Sequence, residues 1–140
     1  MTPSDRFIAE TTLRVRYAET DAQGVVHHSN YIIWFETGRS HYARERGYPY
    51  AEFEKTGSML VVTEVHARYV KPALYDQILV VRTWIEEMKS RSVVFSYEIA
   101  NSETGDLLVT GTTKHICVDR SGKVVAIPVV WRSWGEHSSS

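Results

Sequence analysis

Two kinds of pattern predict β-strands along this chain: alternation of hydrophobic and polar residues, and runs rich in β-branched residues. The first candidate strand, 8–17, alternates residues such as Leu13 with polar neighbours such as Arg14. The other candidates lie in the second half of the chain, at 59–70, 77–88, 92–100 and 107–118. A short last strand, 123–127, is predicted before Pro128. Because 77–88 is apolar on both faces, we expect this strand in the interior of a sheet.

Residues 30–46 have a different period, which predicts one long helix. Its apolar or small residues recur at helical spacing, at Tyr31, Trp34, Phe35, Gly38 and Tyr42. Ser29 or Asn30 can cap its start, and Gly47 suits the left-handed residue that ends a helix. Because this helix is strongly apolar for a short chain, we expect it to be covered on more than one side.

The order of the elements is a strand, a loop, the long helix and then four or five strands. Strands joined by short turns are antiparallel, and a single helix beside such a sheet makes an α+β fold. We expect one domain over 1–140, with its core at about 8–127, a short helical turn at 51–55 and a frayed tail from Trp131. An open sheet leaves edges that are usually paired or covered, so we also expect a homo-oligomer.

The amino-acid composition excludes some classes of protein. The chain has 140 residues, 43% of them hydrophobic and 24% charged, with a net charge of −1. These values exclude a disordered chain and give no electrostatic case for binding nucleic acid. The single cysteine, Cys117, cannot form an internal disulfide and is predicted to be a buried, inert thiol. The N-terminus lacks a signal pattern and no apolar run reaches about 18–20 residues, so we expect a cytoplasmic protein without a membrane span.

Candidate chemistry is concentrated in residues 17–47. A polar loop carrying Asp21 and Gly24 leads through two adjacent histidines, His27 and His28, into the long helix. The start of a helix offers unpaired N–H groups and a partial positive charge, so a carboxylate aimed at it suits catalysis. A loop aspartate can also serve only to accept N–H groups of its own loop. The histidines show no metal-ligand spacing, and we expect neither a metal nor a cofactor.

This stretch resembles the signature of hotdog-fold thioesterases, specifically the 4-hydroxybenzoyl-CoA thioesterase / acyl-CoA thioesterase group. The matching residues are Tyr17, Thr20-Asp21-Ala22, Gly24-Val25-Val26, His28, Asn30-Tyr31 and Glu36. A later segment, 68–73 followed by Tyr75-Asp76, is similar to the family's second recurrent segment. The resemblance extends from about 8 to 127. It implies a helix wrapped by an antiparallel sheet of five or six strands, in subunits that pair edge to edge as dimers or dimers of dimers.

The resemblance also implies roles for the first motif, at an active site on the dimer interface. Asp21 is the expected catalytic carboxylate, as base or nucleophile, and the backbone N–H of His28 polarises the substrate carbonyl. Gly24 shapes the loop, and the His28 ring orients substrate or water. Glu36 is the competing carboxylate, since a related branch uses a helix glutamate. Otherwise Glu36 is a buried supporting group, paired with Arg39.

Other side chains are expected to contact the substrate. Tyr31 is predicted to be core or a wall of the acyl pocket, and Asn30 is expected to hold the loop. Arg68 and Lys71 are candidates for the nucleotide and pyrophosphate of CoA, as are three further cations, Arg82, Lys89 and Arg91.

The predicted function is hydrolysis of an acyl-CoA or aryl-CoA thioester to a free acid and CoA. Two alternatives stay open. One is a non-catalytic dimer that binds acyl thioesters or an acyl carrier protein, and the other is a hotdog hydratase or dehydratase. The sequence leaves the acyl group undecided, and also whether CoA or a carrier protein bears it.

Overall fold

The chain folds into a five-stranded antiparallel sheet with one long helix against one face. The computed structural model describes residues 2–135. In chain order the elements are β1 Ala9–Arg14, a 3-10 turn Tyr17–Glu19, α1 His28–Glu45, α2 Tyr50–Glu54, β2 Ser58–Tyr69, β3 Ile78–Met88, β4 Ser92–Asn101, β5 Leu107–Asp119 and α3 Val129–Ser133. The α+β prediction and the short turn of helix near 51–55 are confirmed.

The strands lie in the order β1-β3-β4-β5-β2. All neighbours are antiparallel, as the short connections predict. β3 lies between β1 and β4, which confirms the interior position expected for a strand that is apolar on both faces. The sheet has two edges, β1 and β2, and β2 is paired only through β5. Its other edge therefore faces away from the rest of the chain.

The core lies between α1 and one face of the sheet. On β4 the alternate residues Val93, Phe95, Tyr97 and Ile99 are all buried on this side. The Phe35 ring of α1 stacks on Tyr97 with ring centroids 4.4 Å apart. Burying a side chain of the size of Phe35 stabilises the fold by about 1.5–3 kcal/mol. This contact fixes the side of the sheet on which the helix lies.

Gly38 allows α1 to approach β3 closely. A Cβ atom at this position would meet Thr83 Oγ1 and would lie 2.8 Å from Val81 Cγ1. The Thr83 hydroxyl is buried and has no hydrogen-bond partner within residues 2–135. A methyl group at position 38 must therefore push the helix away from the sheet.

We expect Gly38→Ala to lower the free energy of unfolding by about 1–3 kcal/mol, the usual cost of overpacking a core. Adding Thr83→Ala removes the nearest obstructing atom and should restore part of the loss. Urea unfolding of both variants measures this, with the exposed Thr37→Ala of the same helix as control. Equal stability of Gly38→Ala and Thr37→Ala would contradict the close approach.

The C-terminal segment differs from the prediction in two ways. Residues 123–127 do not form a strand, and they are joined to the sheet only by an isolated bridge between Val118 and Val124 and by single hydrogen bonds. The expectation of a frayed tail is wrong for Trp131 and Trp134, which are 0% and 7% exposed. Trp131 Nε1–H donates to the Tyr48 carbonyl oxygen at 3.0 Å. Residues 136–140 lie outside the described part of the chain.

Two apolar surfaces are left open by the isolated chain. Ile32 and Ile33 of α1 are 38% and 51% exposed, so the helix is not covered on more than one side. Strand β2 exposes five large apolar side chains, Met59, Val61, Val62, Val65 and Tyr69. The second of these surfaces lies on the unpaired edge strand of the sheet. None of the helices within residues 2–135 is long and apolar enough to cross a membrane.

Candidate active site

Asp21 lies on the exposed loop between the 3-10 turn and α1, and the loop backbone holds its carboxylate. Asp21 Oδ1 accepts hydrogen bonds from the N–H groups of Gln23 at 2.8 Å and Val25 at 3.1 Å. These two bonds hold the pKa of Asp21 below its usual value, and the bond from Gln23 has the larger effect. The carboxylate is therefore ionised at neutral pH and fixed in direction by the backbone.

Gly24 gives this loop its tight shape. Its φ of 78° is in the left-handed region that favours glycine. The Gly24 N–H donates to the Asp21 carbonyl oxygen at 3.0 Å, and the Gly24 carbonyl oxygen accepts from the Tyr75 N–H at 3.0 Å. The second bond ties the loop to the connection between β2 and β3. Gly24 is thus placed to shape the loop, as the sequence indicated.

Helix α1 begins at His28, two residues earlier than predicted, with His27 as a cap residue whose side chain makes no capping bond. Neither Ser29 nor Asn30 is the cap, since both are inside the helix. Within residues 2–135 the N–H groups of His28 and Ser29 have no hydrogen-bond partner. Two free donors at the positive end of the helix dipole form a ready binding site for a developing negative charge.

The His28 ring is held by a tyrosine that sequence analysis did not single out. It stacks on Tyr69 with centroids 4.0 Å apart and ring planes 11° apart. Tyr69 Oη also donates to the His28 carbonyl oxygen at 3.4 Å. Both rings line a cleft of about 140 Å³ together with Val26, Tyr31, Val70 and Lys71. The sequence held one indication of this role, because Tyr69 lies within the second segment that resembles the family.

Tyr31 forms the back of this cleft. It is buried, and its hydroxyl oxygen accepts a hydrogen bond from the Ala73 N–H at 2.9 Å. Burial raises the pKa of the Tyr31 phenol, so the group stays protonated and neutral. Tyr31 therefore joins α1 to the segment after β2 and serves as a wall.

Glu19 is a second residue that sequence analysis missed. Its side chain is buried, with Oε1 accepting from the Arg16 N–H at 2.7 Å and Oε2 accepting from Trp34 Nε1–H at 3.0 Å. Burial alone would raise the pKa of Glu19, but these hydrogen bonds outweigh it and the pKa is lowered. The Glu19 carbonyl oxygen accepts from Asn30 Nδ2–H and from the His27 N–H, both at 3.0 Å. Asn30 thus holds the loop, which is the structural role expected of it.

We expect Glu19→Ala to lower the free energy of unfolding by about 3 kcal/mol, because it leaves the buried Trp34 Nε1–H and the partly buried Arg16 N–H without their acceptor. Glu19→Gln should cost less, since the amide oxygen still accepts one of these hydrogen bonds. Urea unfolding measures both, with Glu45→Ala as a control on the exposed face of α1. A Glu19→Ala variant as stable as Glu45→Ala would refute the buried contact.

The structure does not bring every candidate residue to this cleft. Arg68 points to the opposite face of the sheet from Tyr69, since neighbouring strand residues alternate. Lys71 lines the cleft but also forms an ion pair with Asp106 at 2.8 Å. Glu36 is exposed rather than buried, about 12 Å along the helix from His28. The predicted Glu36–Arg39 pair is wrong, because no ion pair within 4 Å joins them in the described chain.

Metal-ligating side chains are scattered in the described chain. Among residues 2–135 there is no group of three His, Cys, Asp or Glu side chains placed to hold a metal ion. Cys117 is buried, as predicted, and burial raises the pKa of its thiol. The groups that can take part in a reaction are therefore the His28 imidazole at the cleft, the backbone N–H donors at the start of α1 and the Asp21 carboxylate on the loop that leads into α1.

Comparison with known proteins shows the family of this chain. Residues 15–135 match the Thioesterase-like superfamily. The protein of Bacillus subtilis named "Putative acyl-CoA thioesterase YneP" is 39% identical over 113 residues, which is 81% of either chain. The acyl-CoA thioester hydrolase YbgC of Escherichia coli O157:H7 is 33% identical over 107 residues, which is 76% of this chain and 79% of that one.

A solved structure extends the likeness to three dimensions. The DHNA-CoA thioesterase of Staphylococcus aureus has a TM-score of 0.84 and 36% sequence identity, over 91% of this chain and 85% of that chain. These relatives confirm the predicted family and the predicted hotdog fold. With a match that covers the loop, α1 and strands β2 to β5, this chain belongs to the thioesterase-like superfamily and is a thioester hydrolase.

Proposed function

We propose that the protein hydrolyses acyl-CoA thioesters, with Asp21 as the catalytic carboxylate. The observation that carries this proposal is the placement of an ionised, exposed carboxylate on the loop that leads into α1, whose first two N–H groups have no partner within residues 2–135. A bridge between Thr20 and Val26 closes the loop, and Asp21 lies close enough to His27, the cap residue of α1, to interact with it electrostatically. The relatives named for acyl-CoA hydrolysis support the same substrate class.

Hydrolysis of a thioester requires few catalytic groups, because the thioester carbonyl is already reactive. In the general-base route Asp21 takes a proton from water, whose oxygen attacks the carbonyl carbon. In the nucleophilic route Asp21 attacks first and forms an anhydride, which water then cleaves. Either way the C–S bond breaks and CoA leaves as a thiolate that gains a proton. The N–H donors of His28 and Ser29 stabilise the negative charge on the carbonyl oxygen.

The site is proposed to be completed by a second copy of the chain. The cleft at His28 lies beside β2, whose free edge and exposed apolar side chains are suited to pairing with another copy. Such pairing would cover Val62, Val65 and Tyr69 and would leave the CoA portion at the surface. Lys71 is the cation of the cleft that is best placed to meet the pyrophosphate, in exchange for its ion pair with Asp106.

A coupled thiol assay tests the function. Purified protein is given acyl-CoAs with short, medium and aromatic acyl groups, and free CoA is trapped by a thiol reagent. We expect CoA release and an equal amount of free acid. Absence of release from every thioester would refute hydrolysis. Binding without cleavage would favour a non-catalytic acyl-binding dimer, and hydration of an enoyl-CoA would favour a hydratase.

A further inference from the structure

The first turn of α1 lacks the contacts that usually fix the start of a helix. His27, the residue before the helix, makes no side-chain capping bond, and the first turn contains no acidic residue. Helix ends without such contacts leave N–H groups unpaired and fray easily. The proposed function nevertheless requires the N–H groups of His28 and Ser29 to keep one direction, because they meet the carbonyl oxygen of the substrate. Contacts from other parts of the chain must therefore hold this turn.

Tyr69 contacts His28 through both its ring and its hydroxyl group. The two rings stack with centroids 4.0 Å apart and planes 11° apart. Tyr69 Oη also donates to the His28 carbonyl oxygen at 3.4 Å. Tyr31 packs edge-on against Tyr69 with ring centroids 5.3 Å apart, and the Tyr31 hydroxyl is itself fixed by the Ala73 N–H. The three rings form one cluster, in which the buried Tyr31 supports Tyr69 and Tyr69 supports His28.

A β-bulge in β2 gives Tyr69 its direction. The pairing of β2 with β5 shifts its register by one residue directly after Val62. Before the shift, Val62 lies opposite the buried His115, and after the shift Tyr69 lies opposite the buried Val109. Because side chains alternate along a strand, an even-numbered and an odd-numbered residue face the same side only if an extra residue lies between them. Without the bulge, Tyr69 would face away from α1 and could not reach His28.

We propose that Tyr69 is a positioning residue for catalysis, which acts through His28 by fixing its ring and, with it, the N–H groups at the start of α1. The inference rests on the proposed function, which assigns these N–H groups to the carbonyl oxygen of the substrate. His28 is exposed in the described chain, so an unsupported imidazole at this position would sample several rotamers. The stack with Tyr69 restricts the ring to one of them.

The ring of Tyr69 is expected to contribute more than its hydroxyl group. At 3.4 Å the hydrogen bond is longer than the about 2.7–2.8 Å that is usual between oxygen atoms, and it is exposed, so water can replace it. Tyr69→Phe, which keeps the ring, should retain kcat within about threefold of wild type. Tyr69→Leu, which removes the ring, should lower kcat roughly 5- to 10-fold, the value of an aromatic contact. KM should change less than kcat, because the N–H donors act on the charge of the transition state.

The thiol assay measures kcat and KM of each variant, and Phe7→Leu is the matched control. Phe7 is 41% exposed and Tyr69 is 40% exposed, and the Phe7 ring also packs on a ring of α1, that of Tyr42. Tyr42 lies fourteen residues after His28, or about 21 Å along the helix. Phe7→Leu therefore removes an equivalent ring far from the cleft, and its kcat should stay within about twofold of wild type.

A double-mutant cycle shows whether Tyr69 acts through His28 or touches the substrate itself, since its side chain also lines the cleft. His28→Ala keeps the backbone N–H group and removes the imidazole. In this background Tyr69 has no ring to hold, so the addition of Tyr69→Leu should change kcat by less than about twofold. Equal losses from Tyr69→Leu with and without the His28 ring would mean that Tyr69 acts on the substrate directly, and would overturn the inference.

NMR spectra test the positioning without any measurement of activity. The ring protons of His28 lie over the face of the Tyr69 ring, and the ring current of an aromatic face shifts such signals upfield. The signals are identified by their absence from the spectrum of His28→Ala. We expect the upfield shift in the wild-type protein and in Tyr69→Phe, and its loss in Tyr69→Leu. His28 signals at the same position in all three proteins would contradict the stack and overturn the inference.

Failure of this inference can be told from failure of the proposed function. Hydrolysis that depends on Asp21 but keeps its wild-type kcat in Tyr69→Leu would overturn this inference and leave the proposed function standing. Absence of hydrolysis of every thioester would refute both. Thermal unfolding shows which variants are folded, and Tyr69→Met repeats the test with a second ringless side chain if Tyr69→Leu does not fold.

Discussion

Exchange of Asp21 for asparagine is expected to lower kcat for acyl-CoA hydrolysis by about 10²- to 10⁴-fold, the usual contribution of a general base. The amide oxygen of asparagine can still accept the N–H groups of Gln23 and Val25, so the loop keeps its shape. The amide can neither take a proton from water nor attack the carbonyl. The loss should therefore appear in kcat, measured by the thiol assay, with little change in thermal stability.

A matched control exists on another loop of the same chain. Asp119 Oδ1 accepts from the N–H groups two and four residues later, Ser121 at 2.8 Å and Lys123 at 3.0 Å, as Asp21 does. Asp119→Asn thus makes the same chemical change in the same kind of turn, away from the cleft, and should leave kcat within about twofold of wild type. If Asp21→Asn kept its activity while Glu36→Gln lost it, the catalytic carboxylate would be Glu36.

The pH dependence of catalysis follows from the same contacts. Backbone hydrogen bonds hold the pKa of Asp21 below its ordinary value, so the reactive carboxylate is protonated only at a pH lower than usual. Asp21 itself should therefore cause no decrease in kcat/KM between about pH 5 and pH 8. A profile of kcat/KM against pH checks this, and an inflection above pH 5 that disappears in Asp21→Asn would contradict it.

Acidification from pH 6.5 to pH 3 is expected to lower the free energy of unfolding by on the order of 3–5 kcal/mol through His115 alone. Burial, followed by the charge of Arg39, depresses the pKa of His115 from 6.5 to about 3. In that pH range the unfolded chain binds a proton that the folded chain excludes. The contribution is complete above pH 6.5 and is lost as the pH falls toward 3. A domain has only about 5–15 kcal/mol of stability in total, so the effect is large.

Urea unfolding at a series of pH values measures this effect. His115→Gln cannot bind the proton, so its stability should fall less steeply below pH 6.5 than that of the wild-type protein. His66→Gln, at an exposed position of β2, is the control: it shows how the same substitution changes the pH dependence of stability at an exposed histidine. Glu19 acts in the same direction at lower pH, because its lowered pKa favours the folded state only while it is ionised. Parallel curves for wild type and His115→Gln would contradict the buried, neutral histidine.

The local features of this protein could be predicted because they depend on neighbours in sequence. Alternation with a period of two, together with runs of β-branched residues, placed all five strands within a few residues, and a period near 3.6 placed α1. The short polar connections gave the antiparallel order. The proposed catalytic loop was also local, because Asp21, Gly24 and the start of α1 lie within eight residues of one motif.

The features that sequence analysis missed depend on contacts between residues far apart in the chain. Trp131 is held by the Tyr48 carbonyl 83 residues away, so a segment that looked like a tail became part of the core. Residues 123–127 have the composition of a strand, but only an isolated bridge and single hydrogen bonds join them to the sheet. Glu36 was expected to be buried on an apolar helix, yet it is exposed because its side of α1 is left open by the isolated chain.

The sequence by itself determined the class of fold, the order of its elements and the family motif that carries Asp21, because periodicity and a gapless motif are properties of adjacent residues. Only the tertiary structure decided which distant residues hold the loop and the start of α1 in place. Glu19 meets Trp34 across 15 residues, and Tyr69 reaches His28 across 41. Tyr50 and His115 line one cavity with Glu36 and Arg39 although they lie 65 residues apart in the chain, a proximity in space that no local pattern encodes.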